Sequence, residues 1–244
     1  MNTPREIHSL AIVIPAYNSG DSLPGLIEKL NAVLTDSNMQ SVLIFVIDDG
    51  CTDQSMEGIP LSDVRVLRHE ENQGKGASLK TGYLNALKEI TIDCIAVLDA
   101  DGQHNPEELP RLYEEFQRQD SDFLIGSRVF SGQHVPFRSW FGNKVTQVIS
   151  ALLLGKWLPD TQSGYRLISR KYLEKELPNI QGGRYETEME MIAKAIRGNY
   201  QLTSVPIQTL YEEGNPSSHF RVIRDSFRIY STLLKMAIKR FLPL

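Results

Sequence analysis

The sequence predicts an α/β fold in which a mainly parallel sheet is flanked by helices. Apolar, β-branched runs alternate with segments of helical periodicity, which is typical of βαβ units around a parallel sheet. The chain has 244 residues with 41% hydrophobic content, enough to form the core of one large domain. The alternation loosens after about Ser127, so we expect a second half that departs from the simple repeat.

Five predicted strands occupy the first half of the chain: Leu10–Ile14, Val42–Ile47, Val64–Leu67, Cys94–Leu98 and Phe123–Ile125. Helices are predicted between or after most of them. Asp21 or Ser22 is a suitable cap for the first helix. Residues 105–108, Asn-Pro-Glu-Glu, place a cap, a first-turn proline and two acids at the start of another helix, where the helix dipole favours negative charge.

The second half is predicted to contain a helix near Arg138–Leu154, a strand at Tyr165–Ile168, a helix at Tyr185–Arg197, a strand near Leu202–Pro206 and a long helix from about His219. This last helix has an apolar stripe beside a basic one. Residues 219–244 carry six Lys or Arg against one acid, although the whole chain has a net charge of -4. An ordinary helix packed on the domain and a helix lying on an anionic membrane both fit this pattern.

Composition narrows the classes of function. A net charge of -4 and a pI of about 5.8 give no basic excess, so we expect no nucleic-acid partner. Two cysteines support neither a disulfide framework nor a zinc site, and a reducing compartment fits best. The first nine residues lack the apolar region of a signal peptide, and the apolar stretch 145–158 is too interrupted to span a membrane. We therefore expect a cytoplasmic protein.

The most informative motif follows the predicted strand at Cys94–Leu98. Asp99 and Asp101 lie two residues apart, so their side chains face the same way on an extended chain. Hard oxygen ligands of this kind suit Mg²⁺ or Mn²⁺, and Gln103 could add a third oxygen. Asp and Gly are also common in turns after strands, so this motif alone equally fits a turn.

Two further strand ends carry polar residues or turn formers. Pro15, Tyr17 and Asn18 follow the first strand, and Asp48 and Asp49 follow the second. In open parallel sheets, ligands bind beyond the carboxyl ends of the strands. A carboxylate there can accept paired hydrogen bonds from a ribose or a base, although a plain turn fits the same residues.

A glycine-rich segment lies at the start of the predicted helix that follows the third strand. Gly74, Lys75 and Gly76 allow close approach of the backbone and place a cation where it could meet phosphate. The segment is not a Walker A sequence, and on its own it is a weak signal.

Taken in order, these motifs resemble the family 2 glycosyltransferases of the GT-A fold, closest to the polyprenol-phosphate or dolichol-phosphate mannose or glucose synthases. The resembling segments are 14–18, 48–53, 72–76, 99–104, 126–128 and 160–166, and the resemblance covers roughly residues 10–235. It implies a nucleotide-diphospho-sugar donor and inversion at the anomeric carbon. It also implies a cation held by Asp99, Asp101 and Gln103. Cys51 departs from the pattern, since the family usually has serine there.

The resemblance assigns roles to the two halves. Donor-binding residues would be Pro15, Tyr17, Asn18, Asp48, Asp49, Lys75, Gly76 and Asp99 within about 8–127, and the acceptor half would be about 128–218. Arg128 takes the acceptor-phosphate role, and Arg138 and Arg166 share it, since guanidinium groups bind phosphate bidentately. Catalysis would fall to Asp99, Asp101, Arg128 and Asp160. For Asp160, a general base and a loop organiser both remain open.

The expected activity is transfer of a hexosyl group from a GDP- or UDP-sugar to a polyprenyl phosphate. The same chemistry directed at a hydroxyl acceptor is the alternative, and a nucleotide-sugar-binding protein without turnover is the alternative from another class. Residues 1–218 would form the catalytic domain, and 219–244 a helix that associates peripherally with the inner face of the membrane. Oligomeric state stays open.

Overall fold

The computed structural model describes residues 10–37, 39, 42–59, 64–129, 144, 147–148, 151–152, 155–208, 228, 231 and 234. Seven strands are found: β1 Leu10–Ala16, β2 Val42–Asp48, β3 Val64–Arg68, β4 Cys94–Val97, β5 Phe123–Arg128, β6 Arg166–Ser169 and β7 Leu202–Ile207. The helices are α1 Ser22–Asp36, α2 Lys75–Ala86, α3 Leu109–Arg118, α4 Arg170–Glu176 and α5 Glu186–Arg197. The predicted α/β class is confirmed.

The strands form one sheet in the order β3-β2-β1-β4-β6-β5-β7. β1 pairs in parallel with both β2 and β4, so the chain order reverses direction at β1. β6 runs antiparallel to both of its neighbours, β4 and β5. The sheet is therefore mainly parallel with one reversed strand, and a ligand crevice is expected beside β1 and β4.

Helices cover both faces of the sheet, which is why its strands read as nearly continuous apolar runs. One face packs against α1 and α3, through residues such as Leu23, Ile27 and Leu112. The other packs against α2, α4 and α5, through residues such as Leu79, Tyr172 and Ile192. Burial on both sides fixes the register of the strands and so fixes where their ends, and the polar residues beyond them, lie.

Several details differ from the sequence prediction or complete it. Asn105 caps a short 3₁₀ turn at Pro106–Glu108 that leads into α3, and its side chain accepts a hydrogen bond from the Glu107 N–H. Asp21 precedes α1, but its side chain makes no capping hydrogen bond. Helix α4 and the reversed direction of β6 were not predicted.

Two predicted helices fall largely outside the described residues. In 138–154, only residues 144, 147, 148, 151 and 152 are described, and they are helical. In 219–244, only residues 228, 231 and 234 are described, and they are helical as well. Within the described part of the chain, no helix combines the length and apolar character that a bilayer crossing requires.

Candidate active site

The polar motifs converge because their strands end at one edge of the sheet. β1, β2 and β4 are parallel neighbours, so their carboxyl ends bring residues 17–18, 48–49 and 99–101 to the same edge. β6 runs the other way, and Arg166 at its start pairs with Val97 at the end of β4. The segment 160–165 before β6 is therefore delivered to the same edge.

An ion pair joins the first aspartate of the motif to the lysine of the glycine-rich segment. Lys75 Nζ lies 2.7 Å from Asp99 Oδ1, and both side chains are largely shielded from solvent. Burial alone would raise the pKa of Asp99, but the ammonium of Lys75 outweighs this effect and holds the pKa at about 2. The carboxylate of Asp99 is therefore charged, and a cation is already placed beside it.

Asp99 is also held by the residues around it. A side chain at Gly164 would bring its Cβ within 2.1 Å of Asp99 Oδ2, so only glycine leaves room for this carboxylate. The Asp99 N–H donates to His104 Nδ1 at 3.0 Å. Burial lowers the pKa of His104 against the pull of Asp99 and Asp101, so the ring is neutral and accepts this bond. His104 thus has a structural role.

Asp101 is the half-buried carboxylate of the pair. Its Oδ1 accepts a hydrogen bond from the Gln103 N–H at 3.1 Å. Burial and the negative charge of Asp99 raise the pKa of Asp101. Two carboxylates that repel each other in this way fit a divalent cation, whose charge would relieve the repulsion.

The protein supplies few ligands for such a cation. No group of three or more His, Cys, Asp or Glu side chains suited to a metal occurs among the residues described. Mg²⁺ usually takes one or two carboxylates and completes its shell with water and substrate phosphates. Asp99 and Asp101, with the Gln103 amide as a third candidate, fit that pattern. The metal site stays a prediction, in which a substrate diphosphate would complete the shell of the cation.

Glu188 is a site residue that the sequence did not single out as one. Its Oε2 lies 3.1 Å from Lys75 Nζ, and its Oε1 lies 3.5 Å from an amino nitrogen of Arg166. Burial would lower the pKa of Lys75, but Asp99 and Glu188 outweigh it and raise that pKa. Glu188 lies in the first turn of α5, where an acid is favoured by the helix dipole alone, so its position gave no separate signal.

Asp49 organises the loop before α2. Its carboxylate accepts hydrogen bonds from the N–H groups of Gln73 and Gly74 and from the Asn72 amide, and it contacts His69 Nδ1 at 2.7 Å. This buried carboxylate is occupied by its own chain. Asp49 thus has a role in shaping the loop, and its predicted direct contact with the donor stays a prediction.

Asp48 is also turned inward. It is buried, accepts a hydrogen bond from the Cys51 N–H at 2.7 Å, and lies 3.4 Å from Arg68 Nε. The Cys51 thiol in turn accepts from the Asn18 N–H at 3.3 Å. Asp48 therefore holds the turn after β2 against the loop after β1, and its predicted direct contact with the donor stays a prediction.

Of the remaining predicted donor residues, Asn18 bridges the two loops. Its Oδ1 accepts from the Thr52 N–H at 2.8 Å, and its backbone has a positive φ of 49°, which asparagine tolerates better than most residues. Pro15 and Tyr17 lie at the end of β1 and just after it, both half-buried at the same edge. Their contacts with a donor remain a prediction.

The glycines around Lys75 serve helix packing. A Cβ at Gly76 would lie 2.1 Å from Thr187 Oγ1, and one at Gly74 would lie 2.6 Å from the Arg184 side chain. The space beside both glycines is thus filled by the start of α5 and the loop before it. Gly76 brings α2 and α5 together and so places Lys75 beside Glu188. Its predicted approach to phosphate stays a prediction.

Arg128 and Asp160 form a bidentate pair on the acceptor side. Arg128 Nε donates to Asp160 Oδ2 at 2.7 Å, and an amino nitrogen donates to Oδ1 at 3.1 Å. Asp160 is 0% exposed and also accepts from the N–H groups of Arg128, Gln162 and Ser163. Its carboxylate is fully engaged, which favours the loop-organising role over that of a base.

Arg166 is built into the core of the site. It is 2% exposed and donates to the carbonyl oxygens of Ser163, Thr161 and Glu188 at 2.9–3.3 Å. Its guanidinium joins the 161–163 loop to α5, and its predicted acceptor-phosphate role stays a prediction. Arg138, the third predicted arginine, lies outside the described residues.

Two curated proteins resemble this chain along most of its length. The UDP-N-acetylglucosamine–dolichyl-phosphate N-acetylglucosaminyltransferase of Methanococcus voltae is 26% identical over 251 residues, which is 95% of this chain and 97% of the relative. The polyprenol monophosphomannose synthase of Mycolicibacterium smegmatis is 30% identical over 215 residues, which is 84% of this chain and 78% of the relative.

The fold also matches solved structures. Glucosyl-3-phosphoglycerate synthase of Mycobacterium tuberculosis, crystallised with Mn²⁺, UDP and glucosyl-3-phosphoglycerate, superposes with a TM-score of 0.71 at 17% identity, over 94% of this chain and 80% of that one. Likeness at this identity shows the GT-A fold alone. Residues 11–177 match the model of glycosyl transferase family 2. The chain belongs to glycosyl transferase family 2 and is a glycosyltransferase.

Proposed function

We propose that this glycosyltransferase moves a hexosyl group from a nucleotide-diphospho-sugar to a polyprenyl phosphate. A phosphate oxygen of the lipid attacks the anomeric carbon, the bond from that carbon to the diphosphate breaks, and the nucleoside diphosphate leaves. A single displacement of this kind inverts the anomeric centre. The two relatives described above are named for dolichyl-phosphate and polyprenol-phosphate chemistry, which supports this acceptor class.

The observation that carries this choice of acceptor is the state of Asp160. A hydroxyl acceptor needs a general base within hydrogen-bond reach. The acid best placed for that task is buried and held by Arg128 and by three backbone N–H groups. A phosphate monoester has its second pKa near 6 and is largely ionised at neutral pH, so it needs no base.

Arg128 is the proposed phosphate-binding residue. Asp160 holds its guanidinium through two nitrogens, which fixes the plane of the group before a ligand arrives. Its side chain retains 16% exposure at the candidate site. A guanidinium that is already oriented loses less conformational entropy when it binds phosphate. Whether Arg138 adds a second contact stays a proposal.

Asp99 and Asp101, with Gln103, are the proposed holders of Mg²⁺ or Mn²⁺ on the donor side. A divalent cation there supplies neutralisation of charge on the leaving diphosphate. Pro15, Tyr17 and Asn18 would contact the nucleotide, and Lys75 would lie near its phosphates. The similar solved structure was crystallised with Mn²⁺ and UDP, which accords with this arrangement.

We further propose one catalytic domain at 1–218 and a peripheral contact of 219–244 with the anionic cytoplasmic face of a membrane. Each basic side chain near such a surface contributes up to about 1 kcal/mol, and salt screens the attraction. The protein should sediment with phosphatidylserine vesicles at low salt and be released at high salt. Binding to neutral vesicles alone, or to none, would contradict this location.

A donor panel tests the proposal. The purified protein is incubated with Mn²⁺ or Mg²⁺, short polyprenyl phosphate and labelled GDP- and UDP-sugars, and label is followed into an organic phase. Metal-dependent extraction with one donor is expected and would identify that donor. Metal-dependent donor binding without extraction would reject the lipid phosphate and favour a hydroxyl acceptor.

A further inference from the structure

A buried cluster of charges beside the proposed metal site joins four elements. Lys75 at the start of α2 lies between Asp99, beyond β4, and Glu188 in α5, at 2.7 Å and 3.1 Å. Arg166 at the start of β6 approaches the opposite oxygen of Glu188 at 3.5 Å. Glu188 therefore contacts both cations of the cluster, although it does not itself lie on the strand that carries Asp99 and Asp101.

The packing around this cluster leaves Lys75 little freedom. Gly76 lies against Thr187, the neighbour of Glu188, at a distance that excludes any side chain. The Ala77 N–H donates to the Gly183 carbonyl at 3.0 Å, so the starts of α2 and α5 are also joined by their backbones. The ring of Tyr185 lies 5.9 Å from the Lys75 ammonium. The ammonium is thus held from the α5 side.

The charges of this cluster matter to a divalent cation. Lys75 and Arg166 bring two positive charges, while Asp99 and Glu188 bring two negative ones. An ammonium paired with Asp99 alone would compete with a metal for that carboxylate. Glu188 weakens this competition, because it draws the ammonium away from Asp99 and the attraction between opposite charges falls as their separation grows.

We propose that Glu188 is a positioning residue for the donor site: its carboxylate holds the Lys75 ammonium between itself and Asp99, and so keeps Asp99 available to a nucleotide-bound divalent cation. This inference rests on the donor and metal part of the proposed function and is independent of the acceptor. Glu188 acts here through Lys75 and need not touch the substrate.

The test measures Mn²⁺ binding in the absence of acceptor. Mn²⁺ is titrated into the full chain with UDP or with GDP, and free Mn²⁺ is followed by electron paramagnetic resonance. Glu188→Gln keeps the shape of the side chain and removes its charge, so Lys75 would pair with Asp99 alone and the Mn²⁺ Kd should rise roughly tenfold, since loss of a residue that acts on a metal ligand from outside the metal shell typically costs about 10–100-fold in metal affinity. Unchanged affinity would overturn the proposal.

Glu176→Gln is the matched control. Glu176 is also a largely shielded glutamate in an ion pair, with Lys194 of α5 at 3.5 Å, but it contacts none of the cluster residues described above. Its Mn²⁺ Kd should stay within about twofold of the wild-type value. An equal loss of affinity in both variants would mean that Glu188 acts only through general stability, and the proposal would fail.

A double-mutant cycle tests whether Glu188 acts through Lys75. In a Lys75→Met background, Glu188→Gln should no longer weaken Mn²⁺ binding, because no ammonium remains to be positioned. An undiminished effect in that background would overturn the positioning role. If Glu188→Gln does not fold, Glu188→Asp keeps the charge but withdraws it from Lys75, and Mn²⁺ affinity should still fall; wild-type affinity would overturn the proposal.

The outcomes also separate this inference from the proposed function. Mn²⁺-dependent nucleotide binding that responds to Glu188→Gln, without transfer to polyprenyl phosphate, would uphold the inference and reject the acceptor. A wild-type chain that binds neither UDP nor GDP with Mn²⁺ would overturn both the inference and the proposed metal site.

Discussion

At the scale of single residues, the negative charge of Asp101 is compensated less well than that of Asp99. Asp99 has Lys75 beside it, whereas burial and Asp99 together raise the pKa of Asp101. Asp101→Asn should therefore lower Mn²⁺-dependent kcat/KM roughly 100-fold or more, since charge stabilisation by a bound metal is worth several kcal/mol. The measurement is transfer rate against Mn²⁺ concentration.

Asp93→Asn provides the control for that measurement. Asp93 precedes the same strand at its opposite end and loses the same charge on substitution. Its kcat/KM should stay close to the wild-type value. Wild-type activation of the Asp101 variant by Mn²⁺ would remove Asp101 from the metal site.

Cys51 gives a prediction on pH. Burial, with Asp48 nearby, raises the pKa of its thiol from 9.0 to about 12. A raised pKa stabilises the fold fully below pH 9, and this contribution is lost between pH 9 and about 12, because the unfolded thiol ionises first. At pH 10 the loss is about 1 kcal/mol. Denaturant unfolding at pH 8 and pH 10 measures it.

Cys51→Ser separates this effect from other titrations, since the serine hydroxyl does not ionise in that range. The free energy of unfolding of the wild type should fall relative to that of the serine variant as pH rises from 8 to 10. If the free energies of unfolding of the two proteins changed equally with pH, the pKa of the native Cys51 thiol would not be raised.

At the scale of secondary-structure elements, two helical glycines allow a matched comparison. Gly76 in α2 has Thr187 of α5 in the place of a side chain, whereas Gly25 in α1 has nothing within 4 Å. Gly25→Ala should stabilise the fold by about 0.5–1 kcal/mol through helix propensity. Gly76→Ala should destabilise it by about 1–3 kcal/mol through overpacking and should also weaken donor binding. Thermal unfolding and nucleotide titration measure both; two stabilising substitutions would contradict the packing of α2 on α5.

Arg166→Lys distinguishes a structural arginine from a phosphate-binding one. The guanidinium donates to three carbonyl oxygens from two segments, and lysine cannot reproduce that fork. Buried carbonyls left without partners cost about 1–3 kcal/mol, so unfolding should become easier. A variant of wild-type stability with only a raised KM for the acceptor would instead indicate that Arg166 contacts the acceptor phosphate.

Local pattern predicts the bounds of the strands in the first half closely, including those of β3, which is mostly not buried. β1, β2 and β4 are apolar along their length, and their bounds agree closely with the predicted ones. β6 was found as a strand, but its four residues contain nothing that encodes its direction, which depends on pairing with β4 and β5. Long-range pairing of this kind is not written in a local periodicity.

The same limit applies to the site. Asp99, Asp101 and Lys75 were found because strand ends and a glycine-rich helix start are local signals. Glu188 and the Arg128–Asp160 pair depend on contacts between residues far apart in sequence. The intramolecular contacts of Asp48, Asp49 and Arg166 could not be predicted, because charge alone does not tell whether a group contacts a ligand, its own backbone or both.

At the scale of the whole molecule, the sheet divides the chemistry. The carboxyl ends of β1, β2 and β4 supply the proposed donor side, and the end of β5 and the segment before β6 supply Arg128 and Asp160. The match to the family model covers residues 11–177, which contain these strand ends, Arg128 and Asp160 but not Glu188. The reaction proposed for this edge transfers the sugar of a nucleotide-sugar to a lipid phosphate and releases the nucleoside diphosphate.

The most direct measurement compares two acceptors that differ in one group. With Mn²⁺ and the donor selected from the panel, polyprenyl phosphate and a polyprenol of the same length are offered separately, and labelled lipid product is quantified. We predict product from the phosphate and none from the alcohol, because Asp160 is engaged by Arg128 and the phosphate is already ionised. Efficient transfer to the alcohol, or none to the phosphate, would contradict the account.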